Sequence, residues 1–358
     1  MEAFERTRED KLVKILIRAT NWVGDAIMAL PAVRAVREKF RDAEIGIVGR
    51  PYVLDIYREQ EIADELIAYN SAGEHKGFSG RERLAGELRE RKFDVALLLQ
   101  NAFDAAWLAW RAKIPMRIGY ARDGRSLLLT NSVAVPKLGE IPVHEKFYYL
   151  ELIRRAGWIK ELPDVPWIQL KVSAKKRQHA EELLLNAGTP AGRMRIAVGA
   201  GASYGSAKCW PPDSFATALK ALAEKMNADV VLFGTPGEAA VSAAIKAGLK
   251  HAPVDLTGKT AIVDLPALLS RCNLFIGNDS GAMHVAAAVG LPVVAVFGPT
   301  DPNGTVPVTP NCSVVQDKPY CSPCFLRRCP TDHRCMKAVT PGMVEKAVHA
   351  RIAAVTSV

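Results

Sequence analysis

The chain has 358 residues, and its 47 lysines and arginines outnumber its 38 aspartates and glutamates, which gives a formal net charge of +9. This length predicts two domains, and the 49% hydrophobic and 24% charged fractions exclude a disordered or fibrous chain. The sequence has no run of about 18 apolar residues, as a membrane span would need. The segment Met1–Asp10 is too charged to be the apolar core of a secretory signal. We therefore expect a cytoplasmic protein.

The positive charge is spread along the sequence. Zinc-finger spacing, aromatic RNA-binding signatures and basic regions joined to heptads are all missing from it, so we expect no nucleic-acid partner. A moderate excess of positive charge favours an acidic small ligand or an anionic membrane surface. At such a surface each basic residue adds about 1 kcal/mol to the binding free energy. Solubility alone is the alternative explanation.

Short apolar runs alternate with amphipathic segments in both halves, which predicts an α/β fold with parallel sheets. The expected strands are, in chain order, Leu12–Arg18, Glu44–Val48, Phe93–Leu99, Met194–Val198, Asp229–Phe233, Leu274–Ile276 and Pro292–Phe297. A helix is expected up to about Phe40, another over Arg81–Lys92 and a last one over Pro341–Val355. Four strands of the second half run into loops rich in Gly, Ser and Pro. Ligands bind at the carboxyl ends of such strands, so these loops predict a ligand site.

The domain boundary is expected near the proline-spaced stretch Glu161–Pro166 and the basic Lys175–Arg177. We place an N-terminal domain at 1–170 and a C-terminal domain at 171–340. We expect the final segment, 341–358, to be a C-terminal helix.

The first candidate site is the stretch Gly277–Ala288. Asp279 or Ser280 is suited to cap a helix that begins near Gly281. The free amides and positive dipole end of that helix would hold a diphosphate, with His284 one turn further on. A helix capped only for stability is the alternative.

The second candidate is the Gly-rich loop Gly199–Trp210. Lys208 is a mobile positive charge suited to phosphate, and Ser203 and Ser206 add hydroxyl donors. The spacing differs from that of a Walker A loop. A solvated Lys208 is an equally good interpretation of the spacing.

The third candidate is Asp25, at the turn between the first strand and the first helix. A carboxylate there could accept a proton from a substrate hydroxyl, or it could only complement the helix dipole. The turn lacks G-x-G-x-x-G, which argues against a dinucleotide-binding dehydrogenase.

Six ordered motifs resemble those of the ADP-heptose:lipopolysaccharide heptosyltransferases, family 9 of the glycosyltransferases, and most closely the heptosyltransferase II group. They are Asn21–Asp25, Gln100–Phe103, Arg117–Tyr120, Gly201–Pro211, Asn278–His284 and Phe297–Thr300. The resemblance implies a GT-B fold, in which two Rossmann-like domains with parallel sheets face each other across a cleft and the last helix often crosses back to the first domain. It also implies an inverting, metal-independent transfer of heptose from ADP-L-glycero-D-manno-heptose to the heptosyl-Kdo-lipid A inner core of lipopolysaccharide. The resemblance further implies that no cofactor is required and that the protein acts peripherally, on the anionic inner face of the inner membrane.

The resemblance also implies roles for single residues. Asp25 would be the general base, and Lys208, Ser280 and Gly281 would hold the ADP diphosphate and stabilise the leaving group. Asp279 and His284 would shape the donor site, and Glu238 would bind the ribose. The expected acceptor-side residues are Arg18, Asn101, Arg117 and His144. Three positions depart from the family pattern: Gln100 and Ser206 stand where proline is expected, and Cys209 where arginine is common.

Four cysteines, Cys321, Cys324, Cys329 and Cys335, fall within fifteen residues that also contain His333. They would suit a structural zinc site or an Fe–S loop, while reduced thiols in a surface loop are the alternative. The resemblance implies an accessory role for this loop.

Two other functions stay open. One is a related family 9 transferase with another nucleotide sugar or core position. The other is a non-catalytic nucleotide- or glycolipid-binding protein of the same fold.

Overall fold

The computed structural model describes residues 13–356. The charged segment Met1–Asp10 and Leu12, the expected start of the first strand, lie outside the described residues. The chain forms two compact units that divide between Val165 and Pro166. This division falls within the proline-spaced stretch and a few residues before the expected boundary. The basic Lys175–Arg177 lies in a helix of the second unit.

Unit 1 contains a parallel sheet of six strands among its described residues. The strands are β1 (Lys14–Arg18), β2 (Glu44–Gly49), β3 (Glu65–Ala68), β4 (Val95–Leu98), β5 (Met116–Tyr120) and β6 (Asn131–Val133). The helices are α1 (Val23–Lys39), α2 (Pro51–Tyr57), α3 (Gly77–Glu90), α4 (Phe103–Arg111) and α5 (Glu145–Arg155), with a 3-10 turn at Ser126–Leu128. The strand order is β3-β2-β1-β4-β5-β6.

Unit 2 has a second parallel sheet, with six strands in the part of the unit that the structure describes. They are β7 (Met194–Gly199), β8 (Ala228–Phe233), β9 (Val254–Asp255), β10 (Leu274–Asn278), β11 (Val293–Phe297) and β12 (Cys312–Gln316). The helices are α6 (Ala174–Asn186), α7 (Pro212–Met226), α8 (Ala239–Ala247), α9 (Leu265–Leu269), α10 (Gly281–Ala288), α11 (Pro302–Thr305), α12 (Arg334–Lys337) and α13 (Pro341–Thr356). Two 3-10 turns lie at Ser206–Lys208 and Pro236–Glu238.

The second sheet repeats the order of the first, as β9-β8-β7-β10-β11-β12. In both sheets the first strand of the unit pairs with the second on one side and the fourth on the other. This point, where the strand order reverses, is where ligands bind in doubly wound folds. The expected α/β class and the two Rossmann-like halves are confirmed.

Local sequence sets the ends of the helices. Helix α7 starts with Pro212 at its first position and ends at Asn227, whose left-handed conformation (φ 47°) terminates the helix. The Ser173 hydroxyl accepts a hydrogen bond from the Lys176 amide at the start of α6. The last helix, α13, buries Val344 and Val348 in the core of unit 2, so it is part of that unit. None of the helices described within residues 13–356 has both the length and the apolar composition needed to cross a bilayer.

Candidate functional site

The carboxyl edge of the second sheet carries the predicted donor-site residues. Loops leave this edge after β7, β8, β10 and β11, and each of the four was expected from the sequence. The loops after β7 and β10 flank the point where the strand order reverses. They hold Lys208 and Asp279, which are 71 positions apart in the sequence.

An ion pair connects these two loops. The Lys208 ammonium lies 2.5 Å from Oδ2 of Asp279, and the same oxygen accepts a hydrogen bond of 2.7 Å from the Thr300 hydroxyl. The side chains of Lys208 and Asp279 are only 12% and 5% exposed. Lys208 is therefore held in place at the carboxyl ends of the strands by its ion pair, and its interpretation as a solvated side chain is wrong. Thr300 belongs to the expected Phe297–Thr300 motif, but sequence reasoning gave it no role.

Helix α10 begins at this ion pair. Ser280 occupies its N-cap position, as predicted, but the side chain makes no capping hydrogen bond. Its hydroxyl oxygen is buried and has no hydrogen-bond partner among the described residues. Asp279 is not the N-cap residue, and its Oδ2 contacts Lys208 and Thr300 instead. The capping prediction is wrong, and the result is an uncapped helix start beside a buried, unsatisfied hydroxyl and a fixed ammonium group. Each of these features favours an anion.

Asn278 fixes the position of the Lys208 loop. Its side chain donates to the Ala200 carbonyl at 2.6 Å and accepts from the Trp210 amide at 3.0 Å, so it holds both ends of the loop. The fully buried Trp210 indole also donates to the Val339 carbonyl at 2.8 Å. Sequence reasoning missed these anchors, although both residues lie in the expected motifs.

Other predicted donor residues lie on the same edge, with different exposure. Ser203 and Ser206 are exposed on the loop after β7. Asp279 and His284 are each 4% exposed, and His284 is one turn into α10. Glu238 ends the turn after β8, where its carboxylate accepts a hydrogen bond of 2.6 Å from the Thr235 amide.

Glu238 also reaches the neighbouring loop. A Cβ atom at Gly201 would lie 1.7 Å from its Oε1, so a larger residue at position 201 would displace the Glu238 side chain from this place. The loops after β7 and β8 are therefore in direct contact.

In unit 1, Asp25 lies in the first turn of α1, partly buried. Two buried phenols are close to it. Burial raises the pKa of Tyr57, and the negative charge of Asp25 raises it further. The same two causes raise the pKa of Tyr149 on α5. Asp25 thus lies on α1 close to the buried phenols of α2 and α5, and a carboxylate in this place could act as a base.

Asn101 lies at the carboxyl end of β4, on the same edge as the turn that carries Asp25. It donates to the Tyr148 hydroxyl at 3.0 Å, and its Oδ1 accepts from the Arg125 guanidinium at 3.1 Å. Arg125 is fully buried and also donates to the carbonyls of Tyr120 and Gln100. Burial lowers its pKa to about 10. Sequence reasoning missed Arg125, which orients Asn101.

The other predicted acceptor-side residues have structural partners. Arg18 is 1% exposed, donates to the Ala19 carbonyl and the Asn21 side chain, and has a pKa lowered by burial to about 10. His144 is the N-cap of α5, where its Nδ1 accepts from the Lys146 amide at 3.1 Å.

The structure does not bring Arg117 to the carboxyl edge. It is the second residue of β5, near the amino end of that strand, and its guanidinium donates to the carbonyls of Ile114 and Leu128 at 2.6 and 2.7 Å. The exposed arginine at the carboxyl end of the same strand is Arg122, which lies 3.4 Å from the Tyr148 hydroxyl.

The four clustered cysteines all carry free thiols. Burial raises the pKa of Cys335, and the thiols of Cys321, Cys324 and Cys329 raise it further, so the four lie close enough to interact. Within residues 13–356, however, no three side chains of His, Cys, Asp or Glu are grouped in a way that would hold a metal ion. The structural metal site stays a prediction.

Comparison with known proteins gives a consistent result. The family model described as "Glycosyltransferase family 9 (heptosyltransferase)" matches residues 81–334. The chain is 29% identical over 313 residues to lipopolysaccharide heptosyltransferase 2 of Salmonella typhimurium, covering 85% of this chain and 88% of the relative. It is 28% identical to a lipooligosaccharide heptosyltransferase 2 of Campylobacter jejuni, and the match covers 93% of this chain and 97% of that relative. The solved structure of ADP-heptose lipopolysaccharide heptosyltransferase II from Escherichia coli matches with a TM-score of 0.79 at 27% identity, over 95% of this chain and 98% of that one.

Proposed function

The chain belongs to glycosyltransferase family 9, the heptosyltransferase family, and on that premise we propose that it adds a heptose to the inner core of lipopolysaccharide. The donor is ADP-L-glycero-D-manno-heptose and the acceptor is heptosyl-Kdo-lipid A. The names of the relatives support this assignment. The observation that carries it is the anion site at the start of α10, where the Ser280 hydroxyl is unsatisfied beside Lys208.

The anion site suits the diphosphate of a nucleotide sugar. The amides at the helix start and the Ser280 hydroxyl supply hydrogen bonds, and Lys208 supplies an ammonium group that the Asp279 carboxylate holds in place. Glu238, on the neighbouring loop, is suited to accept hydrogen bonds from ribose hydroxyls. The helix start, the Ser280 hydroxyl and the Lys208 ammonium are hydrogen-bond donors that would stabilise the leaving ADP, so we propose that the transfer needs no metal ion or other cofactor.

The proposed step is a direct displacement. The acceptor hydroxyl gives its proton to Asp25 as its oxygen forms a bond to the anomeric carbon. The bond between that carbon and the diphosphate oxygen breaks, and its electron pair leaves with ADP. One displacement inverts the anomeric centre. Lys208 and the start of α10 stabilise the charge that develops on the leaving oxygen.

We assign acceptor binding to two other arginines of unit 1, Arg122 and Arg50. Arg18 and Arg117 are occupied by protein carbonyls. Arg122 is exposed at the carboxyl end of β5, and Arg50 follows β2 with its guanidinium 4.8 Å from the ring centre of Tyr69. Guanidinium groups at this edge would bind the carboxylates and phosphates of the glycolipid.

We also propose that unit 1 docks on the anionic face of the inner membrane. Helix α4 presents Phe103, Trp107 and Trp110 at positions i, i+4 and i+7, hence on one face. Phe103 and Trp110 are 49% and 45% exposed, and Phe78 on α3, 65% exposed, packs against Trp107 with ring centres 5.8 Å apart. We call these four side chains the aromatic surface.

Basic groups accompany the aromatic surface. The guanidinium of Arg81 lies 5.6 Å from the Trp107 ring centre, and that of Arg111 lies 5.7 Å from Trp110. Both groups are also ion-paired, Arg81 with Asp104 and Arg111 with Glu82. Exposed Lys76 and Lys113 flank α3 and α4 in the sequence. Aromatic and basic side chains together favour the interface of an anionic bilayer. Because α4 begins next to Asn101, docking there would bring the membrane to the acceptor edge.

The decisive experiment incubates the purified protein with ADP-heptose and a monoheptosylated acceptor. We expect a mass gain of one heptose and release of ADP in equal amounts. ADP binding without turnover would favour the non-catalytic alternative. Turnover only with a different nucleotide sugar or acceptor would favour a related transferase.

A further inference from the structure

The loop that carries the clustered cysteines lies against the donor site. We call residues Cys321–Cys335 the thiol loop. It contacts both the Lys208 loop after β7 and the turn after β11 that carries Thr300. Each of these two segments contributes one side chain, Lys208 or Thr300, that contacts the Asp279 carboxylate.

Contacts with the Lys208 loop are made largely by backbone groups. The Ala207 amide donates to the Arg327 carbonyl at 3.1 Å, and the Tyr204 hydroxyl donates to the Phe325 carbonyl at 2.7 Å. A Cβ atom at Gly205 would lie 2.2 Å from the Arg327 carbonyl oxygen, so the two backbones approach too closely for any larger residue.

His333 adds a side-chain contact. Its Nε2 lies 2.7 Å from the carbonyl oxygen of Ala207. A carbonyl oxygen can only accept, so Nε2 must carry the proton and donate. His333 therefore holds the residue immediately before Lys208.

The ring of Tyr204 joins the thiol loop to the charged group itself. The Lys208 ammonium lies 4.8 Å from the centre of this ring, and the Arg327 guanidinium lies 5.3 Å from it. Cations at such distances are attracted to an aromatic face. Tyr204 thus contacts Lys208 through its ring and the thiol loop through its hydroxyl.

Contacts with the turn after β11 are equally direct. The amides of Cys324 and Phe325 donate to the Pro299 carbonyl at 3.0 and 2.8 Å, and the Ser322 hydroxyl donates to the Gly298 carbonyl at 2.6 Å. A Cβ atom at Gly298 would lie 3.2 Å from the Cys335 sulfur. The thiol loop therefore holds the segment that places the Thr300 hydroxyl on Asp279.

From these contacts we propose that the thiol loop is a positioning element of the donor site. The positioning residues are His333 of the thiol loop and Tyr204 of the Lys208 loop. The thiol loop holds Lys208 from one side and Thr300 from the other, so that both meet the Asp279 carboxylate. The loop touches no reacting atom in this role. This inference rests on the proposed function, because it takes the Lys208 site to be the diphosphate site.

The test measures ADP affinity by calorimetry in the wild type and in His333→Ala and Tyr204→Phe. Each variant removes one hydrogen bond to the backbone, and we expect ADP to bind about 2- to 10-fold more weakly in each. His333→Gln, whose side-chain amide can donate, should restore part of the affinity. The donor KM should rise with a smaller change in kcat, while the acceptor KM stays the same.

Arg327→Ala and Arg328→Ala form a matched pair, since both remove an exposed arginine and only Arg327 lies near Tyr204. We expect weaker ADP binding in the first variant than in the second. Wild-type protein that fails to bind ADP would overturn the proposed function itself. Wild-type protein that binds ADP, with unchanged affinity in His333→Ala and Tyr204→Phe, would overturn the positioning role alone. A fall in melting temperature without a change in ADP affinity would also overturn it, because it would show a contribution to stability only.

Discussion

Replacing Lys208 with methionine separates two roles of this side chain. Methionine keeps most of the length of lysine and removes the charge. In the folded protein the change removes the ammonium from the Lys208–Asp279 ion pair. The Asp279 carboxylate, which is 5% exposed, then keeps the hydrogen bond from the Thr300 hydroxyl. Removing one member of a buried ion pair costs about 3–5 kcal/mol. Because Lys208 is 12% exposed, we expect a loss near the lower end, about 3 kcal/mol of unfolding free energy.

The effect on ADP binding has a different origin. A charge-assisted hydrogen bond contributes about 1.5–3 kcal/mol, and each 1.4 kcal/mol changes affinity about tenfold. We therefore expect Lys208→Met to weaken ADP binding by about one to two orders of magnitude. Chemical denaturation measures the first quantity and calorimetric titration the second. Lys220→Met, on the exposed face of α7, is the matched control and should change neither.

The double variant Lys208→Met/Asp279→Asn distinguishes the two roles. It removes the unpaired carboxylate, so most of the lost stability should return while ADP affinity stays low. Recovery of ADP affinity together with stability would show that Lys208 acts only through the fold. Wild-type ADP affinity in the single variant would refute the phosphate role.

Four further predictions concern other parts of the molecule. Asp25→Asn should lower kcat by at least about 100-fold, the contribution of a general base, while ADP affinity stays constant; a matching loss of affinity would place Asp25 in the donor site. Phe103→Ser and Trp110→Ser should reduce binding to vesicles that contain anionic phospholipid, with ADP affinity unchanged, and equal binding of wild type and variants would argue against the aromatic surface. Hydrogen bonds from two arginines lower the pKa of Glu181 from 4.5 to about 2. The Glu181 carboxyl binds its proton less tightly in the folded protein than in the unfolded chain. The interaction of Glu181 with the two arginines therefore stabilises the fold above pH 4.5, and its contribution disappears as the pH falls towards 2. Glu181→Gln should flatten the loss of stability over that interval, and an unchanged pH profile would contradict the assignment. If the clustered cysteines form the predicted structural metal site, protein purified without chelators should contain a stoichiometric amount of zinc or iron; a metal content near zero would count against that site.

The sequence predicted the central strands well and the edge strands poorly. Central strands such as β4 and β10 are buried on both faces, which produces unbroken apolar runs. The edge strands β6 and β9 have three and two residues and lack such a run. The loops at the carboxyl ends of the central strands were predicted for the same reason, since each follows a strand that the sequence reveals.

The positions of single side chains were harder to predict. Lys208 and Asp279 were both expected at one edge, but their ion pair depends on the conformation of two loops, which no local pattern encodes. Arg117 was expected on the acceptor side because all residues of its motif were assumed to lie at the same site. Strand β5 runs through that motif, so Arg117 lies near the amino end of the strand and Tyr120 lies at its carboxyl end.

The thiol loop shows a further limit. Its cysteines stood out in the sequence, yet its contacts with the donor site run mainly through the carbonyls of Phe325, Arg327 and Ala207. Every residue type has a carbonyl oxygen, so these contacts leave no signal in the sequence. Gly205 is the exception, because its contact excludes all larger side chains.

The two sheets share one strand order but carry opposite chemistry where that order reverses. In unit 1 the turn after β1 leads to the carboxylate of Asp25. In unit 2 the corresponding loop after β7 carries the ammonium of Lys208, and the helix after β10 begins uncapped. The Asp279 carboxylate at the second position is paired with Lys208. A carboxylate in place of Lys208 would be unpaired and would repel a diphosphate, and an ammonium in place of Asp25 could not accept a proton from a hydroxyl. The roles of the two units in the proposed transfer therefore cannot be exchanged, although their folds are alike. The difference lies in the few side chains that follow equivalent strands.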